Sequence, residues 1–215
     1  MEREGNKINV PRVLIALIIA IAVLAFAFMQ GYLISFLNYQ KVSGIENTLK
    51  IDLLETQLSG QLLQNCNENA FALFSNELDE SGALISLLEQ RFGKTDENVL
   101  NQKKNYVLLE VQHFLAVKKY SEECEKDVDF VLFFYSNEDV YGNTAENIGK
   151  MLDSIKSQKD REVMIYSFDY DLNMDIIVFM KHLYGVSSPN TVVINEEFNI
   201  LSPSNINEFS DYFDL

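Results

Sequence analysis

The stretch Asp129-Phe130-Val131-Leu132-Phe133-Phe134-Tyr135-Ser136-Asn137-Glu138-Asp139-Val140-Tyr141-Gly142-Asn143-Thr144 decides how the second half of the chain is read. Its core is an uninterrupted apolar run, 130–135, closed off by Asp129 before it and by Ser136 to Asp139 after it. A run this short and this aromatic predicts a strand buried on both faces, as in a sheet covered by helices on each side. The polar residues that follow predict a loop over 136–144. Thr144 then opens a helix whose inner face carries Ile148, Met151, Leu152 and Ile155.

Outward from this unit, 163–168 predicts a second strand. Asn173 is placed to cap a further helix with Ile176, Ile177, Met180 and Leu183 inward, and Gly185 to end it. Residues 191–194 and 199–201 predict two short strands, and Ser202 with Pro203 begins a last helix carrying Ile206, Phe209 and Phe213. Strands separated by helices pair in parallel through right-handed crossovers, whereas the closing two are near enough in sequence for a hairpin. The fold class is therefore α/β.

That element order, with Tyr184-Gly185-Val186-Ser187-Ser188-Pro189-Asn190-Thr191-Val192-Val193-Ile194 in its second half, resembles the thioredoxin-like fold family. Phe168-Asp169-Tyr170-Asp171 resembles the ending of the family's second strand. The resemblance implies a three-layer domain over 127–215 and a cis peptide between Ser188 and Pro189. It also implies a groove beside that proline able to hydrogen-bond an extended chain, with Tyr141, Gly142 and Asn143 on one side and Ser187, Ser188 and Pro189 on the other. Redox-active members carry Cys-x-x-Cys in the loop after the first strand, at a helix N-terminus that stabilises a thiolate. Here 136–144 contains no cysteine, so the nucleophile for disulfide exchange is missing at that place. The expected function is a protein- or peptide-binding module with no catalytic residue and no cofactor.

Before this domain, 45–126 lacks proline and repeats apolar residues at helical spacing: Leu49, Leu53, Leu54, Leu58 and Leu62, then Ala70, Phe71, Phe74 and Leu78. After a predicted break over 79–82 the stripe returns in Leu84, Leu87 and Leu88, and after a turn over 92–96 in Leu100, Val107, Leu108, Val111, Phe114 and Leu115. This predicts a helical stalk folded into a hairpin. The two cysteines of the chain, Cys66 and Cys124, lie about equally far from the turn at Gly93, so an antiparallel hairpin brings them level. A structural disulfide is the favoured reading; a displaced redox pair and two free thiols are the alternatives. Glu122, Glu123 and Glu125 around Cys124, near a helix C-terminus, disfavour a thiolate there.

Residues 13–37 carry no charge and are apolar throughout their first two-thirds, long enough as a helix to cross a hydrocarbon core of about 30 Å. The expectation is one transmembrane helix with the lipid bilayer as its partner; a cleavable signal peptide, with Ala25, Phe26 and Ala27 as its site, is the rival. Arg3, Lys7 and Arg12 in the tail 1–12 favour that end inside and the remainder outside the cell membrane. Removing the first forty residues leaves 14 basic against 30 acidic residues, a balance that repels phosphate backbones and makes nucleic acid an improbable partner.

Other chemistry finds little support. Asp169, Asp171, Asn173 and Asp175 have the alternate spacing of a calcium loop, but Met174 and Met180 stand where glycine and a bidentate glutamate are needed. His113 and His182 have no cysteine or histidine at metal-ligand spacing and are expected to be ordinary packing or surface residues. An oxidoreductase or isomerase accessory using Cys66 and Cys124, and a structural subunit of a membrane complex, are the competing functions.

Overall fold

The computed structural model describes residues 10–63, 66–158 and 162–213. The chain divides into two compact units, Met1–Glu46 and Asn47–Leu215. In the first, helix α1 (Val10–Leu62) begins, and it contains one stretch, Leu14–Ile34, long and apolar enough to span a membrane. Twenty-one residues of helix reach about 32 Å, and every one is exposed, so the apolar surface is turned outward on all sides. Its length and all-round apolar surface meet what a membrane span requires, a test that a signal sequence near the N-terminus meets as well.

The second unit holds the last turns of α1, then α2 (Glu68–Phe92), α3 (Glu97–Glu123), β1 (Val128–Tyr135), α4 (Asp139–Gln158), β2 (Glu162–Asp169), α5 (Asp175–Leu183), β3 (Thr191–Ile194), β4 (Phe198–Leu201) and a 3-10 turn (Ile206–Phe209). The strands form one mixed sheet in the order β2-β1-β3-β4, with β1 and β2 parallel and β3 antiparallel to both β1 and β4. The parallel β1–β2 pair and the β3–β4 hairpin expected from the sequence are present, but β3, which follows α5, runs antiparallel to β1 rather than parallel, so a helix between two strands does not by itself set their direction.

Alternation along the strands separates two cores. Phe130, Leu132 and Phe134 of β1 stand beside Met164, Tyr166 and Phe168 of β2 and pack with Phe74, Phe114 and Val117 of the hairpin and Ile177 of α5. Val131 and Phe133 face the other way, onto Ile148, Leu152 and Ile155 of α4 and onto Phe209 and Phe213. Each fully buried side chain of this size stabilises by about 1.5–3 kcal/mol. The segment expected as a stalk thus shares the core of the sheet: α2 and α3 form a layer of the same compact unit.

Several local expectations are corrected. The break over 79–82 does not occur; α2 runs through it because Ser81 is buried and Gly82 lets Tyr106 approach. A Cβ at Gly82 would lie 2.8 Å from the Tyr106 hydroxyl. α4 begins at Asp139 rather than Thr144, so Tyr141, Gly142 and Asn143 are helical and not a loop. α5 starts after Met174 with no side-chain cap, and Asn173 does not cap it. The last helix is reduced to the 3-10 turn, opened by an Asn205 and Glu208 capping box. No peptide bond among the described residues is cis, so Ser188–Pro189 is trans. The chain enters β3 instead through Asn190 in the left-handed region, while the Thr191 hydroxyl donates to the Ser188 carbonyl at 2.8 Å.

Cys66 and Cys124 are joined, with Cα atoms 5.5 Å apart. Cys66 precedes the Asn67 cap of α2 and Cys124 is the C-cap of α3, so the bridge closes the open end of the hairpin. The level placement expected from counting outward from Gly93 is what allows it.

Candidate functional site

At the C-terminal ends of β1 and β2 the sheet opens into a cleft of about 740 Å³, walled by α2, α3 and the first turns of α4. This is the end of parallel strands at which open α/β sheets place ligands. The α2–α3 hairpin forms one wall of the cleft, with α3 beside β2. Edge strands leave backbone groups unpaired, and here Glu110 of α3 accepts the Ser167 N–H at 2.9 Å.

Lys103 is the centre of the polar network. It is 3 % exposed, and its Nζ donates to Asp169 Oδ2 at 2.6 Å, lies 3.0 Å from Glu89 Oε1, and sits 5.3 Å from the centre of the Tyr135 ring. Burial works against the ammonium, but Tyr135 and the two carboxylates outweigh it and raise its pKa above the ordinary lysine value. Asp169 also accepts from Asn137 Nδ2 at 3.0 Å, and Asn137 Oδ1 accepts from Lys94 Nζ at 3.0 Å. Ser136 Oγ donates to Asp171 Oδ2 at 2.5 Å. These bonds link the hairpin turn, the β1–α4 junction and the β2 end into one wall. They also engage Asp169 and Asp171, the two carboxylates that open the calcium-like spacing.

Glu110 is 2 % exposed, and while one oxygen holds Ser167, Oε2 has no hydrogen-bond partner. Burial pushes its pKa up to about 8, against the pull of the Ser167 N–H and of Lys103. Farther along α3, His113 is buried, stacks on Phe74 at 4.4 Å and shares a 2.9 Å hydrogen bond between Nδ1 and the Tyr166 hydroxyl. Burial takes its pKa down to about 4. His182 is exposed on α5.

These two shifts give opposite pH slopes. Glu110 is raised in the folded state, so its contribution is whole below about 4.5 and is lost as pH rises toward about 8. His113 is lowered, so its contribution is whole above about 6.5 and is lost as pH falls toward about 4. Between pH 6.5 and 8 only Glu110 of the pair acts. Urea unfolding of the full chain in detergent should show stability falling by about 1–2 kcal/mol across that window. Glu110→Gln keeps an acceptor for Ser167 and should flatten the slope; an unchanged slope would show that Glu110 does not titrate there.

The six residues expected to line a binding groove are only partly brought together. Gly142 and Asn143 line the cleft, whereas Tyr141, Ser187, Ser188 and Pro189 do not. The two groups meet through Asn190, whose Nδ2 donates to the Tyr141 carbonyl at 3.1 Å and whose Oδ1 accepts the Ser136 N–H at 3.4 Å. The Ser187 carbonyl accepts from the Tyr170 hydroxyl at 3.3 Å, and Thr191 takes that of Ser188. Sequence reasoning missed Glu89, Lys103, Glu110 and Asn190. The signal was present for two of them. Lys103 and Glu110 fall on the inner stripe of α3 with Val99, Val107, Phe114 and Val117, and a charged residue on an apolar stripe is the informative exception.

Comparison with protein-family models, with curated proteins and with solved structures returned no match.

Proposed function

We propose that this chain is a membrane-anchored, thioredoxin-like module without redox chemistry, which binds a protein partner in the cleft at the ends of β1 and β2. The observation that carries the reading is the cleft itself: an opening of mixed polar and apolar lining with a buried glutamate oxygen left unpaired. The strand order β2-β1-β3-β4, with a βαβ half followed by an antiparallel pair, supports the thioredoxin-like assignment. So do helices on both faces of the sheet. With Cys66 and Cys124 bonded to each other, neither is a free thiol. Their bridge lies before the start of β1, roughly 23 Å of strand from the cleft end, which argues against a redox role in the cleft. The disulfide and the basic residues of the tail favour the compact unit lying outside the cell membrane, where oxidation persists.

Photo-crosslinking in native membranes tests the reading. A benzophenone side chain at Asn143, on the cleft wall, should give a discrete adduct with one protein. The same group at exposed Ser157, on the last turn of α4, should give none. Equal labelling from both positions, or no adduct from Asn143, would remove the cleft as the binding site.

A further inference from the structure

We propose that the cleft receives a primary ammonium group, from a lysine side chain or a free amino terminus of the partner, and seats it against Glu110; this rests on the cleft being the binding site. Beside Glu110 the cleft lining bears Glu89, Asp139, Glu146 and Asp169 against Lys94 and Lys103, with Glu146 paired to Lys150 at 2.6 Å, so a cation rather than an anion is the complementary ligand. Lys103 already cancels much of the charge of Glu89 and Asp169. Glu110 is different, because its second oxygen is buried without any donor, and such a group in a native interior calls for a partner. One oxygen is committed to Ser167, so only one is free. A guanidinium would need both for its paired geometry, whereas an ammonium is a compact point charge satisfied by one. The bound Lys103 shows that this environment accommodates an ammonium, between two carboxylates and beside an aromatic ring. It sits seven residues from Glu110, about 10 Å along α3, which leaves room for a second cation.

The charged and titratable groups around Glu110 are Lys103 and Tyr106 on its own helix, Glu89 on α2, Glu146 on α4, and Tyr166 and Asp169 on β2. With the cleft empty, Glu110 keeps its proton through neutral pH. An ammonium needs the carboxylate, so seating it expels that proton to the buffer. Affinity should therefore rise about tenfold per pH unit below about 8 and level off above it.

The probe is N-acetyl-lysine N-methylamide, titrated into the full chain in nanodiscs, with the Ser167 amide followed by NMR and calorimetry run in two buffers of different ionisation enthalpy. The expected result is a shift of the Ser167 amide, proton release at pH 7, and the tenfold-per-unit rise. Glu110→Gln should weaken binding at least tenfold at pH 8 and abolish the proton release. The Nε-acetylated probe should not bind. Alanine N-methylamide supplies an α-ammonium and tells an amino terminus from a side chain; binding by either ammonium source supports the proposal. Binding that is independent of pH and equal in Glu110→Gln overturns it, as does equal binding of the Nε-acetylated probe. So does the absence of any shift with both ammonium probes in the folded protein, which would leave Glu110 as a cap on the β2 edge only. If the Asn143 adduct stands while the ammonium probes fail, the cleft binds its partner by other chemistry. If the ammonium binds while the adduct is absent, the partner-binding reading fails instead.

Discussion

Replacing Lys103 with methionine is expected to destabilise the Asn47–Leu215 unit by about 3–5 kcal/mol, measured as a fall in the urea midpoint of the full chain in detergent. Methionine fills similar volume, so lost packing contributes little. The loss comes from Asp169 and Glu89, left in a buried site without their shared cation. Asp169 would also keep its bond from Asn137 but lose its shortest and strongest contact. A second substitution separates charge from shape: Lys103→Met with Asp169→Asn should recover part of the loss, since asparagine still accepts from Asn137 and carries no charge. Were Lys103→Met alone to cost under about 1 kcal/mol, the pair would be behaving as a solvated surface bridge. Its role as the organising contact of the cleft wall would then be untenable.

Removing the Cys66–Cys124 bridge is the second large effect. The bond spans a sequence separation of 58 residues, for which loop closure in the unfolded chain is worth about 4 kcal/mol. Cys66→Ser with Cys124→Ser should lower stability by about that amount, and a reductant should lower the native chain equally while leaving the double variant unchanged. The bridge pins the end of α1 and the start of α2 to the end of α3, just before β1, so its loss frees the far end of the hairpin from the sheet. Close packing at the same end of the hairpin provides a second constraint: the Phe71 ring of α2 stacks on Tyr120 of α3 with centroids 4.8 Å apart. For that reason the variant should remain folded at low temperature rather than collapse. A double variant as stable as the native chain would mean that this packing alone closes the hairpin.

The sheet was legible from sequence because its signals are local. The apolar run at 130–135 reads as a doubly covered strand since period-two alternation vanishes when both faces are buried, and both faces are. The parallel pairing of β1 with β2 agrees with the helix between them, and the β3–β4 hairpin with a short connection. Helix ends were less legible. At Thr144 a favourable cap residue suggested a start, but the chain was already helical from Asp139, with the Glu138 carbonyl accepting from Tyr141 and Gly142. At Ser188–Pro189 the resemblance implied a cis bond, yet Asn190 makes the turn by entering the left-handed region and bridging to Ser136 and Tyr141. Such a choice depends on partners distant in the chain, and no window of sequence contains them.

By itself, then, the sequence determined one apolar helix able to span a membrane, an α/β unit with its β1–β2 and β3–β4 pairs but not the direction of β3 against β1, and two cysteines placed to meet. Each of these rests on periodicity or on counting residues along a helix. Only the tertiary structure decided that the expected stalk is a layer of the domain and that its inner face supplies Glu89, Lys103 and Glu110 to a cleft with Asn137 and Asp169. The reason is that burial gives those charges their meaning. Lys103 on an isolated helix would be a solvated residue, and only when α3 lies beside β2 does it come within 2.6 Å of Asp169, a residue sixty-six positions away.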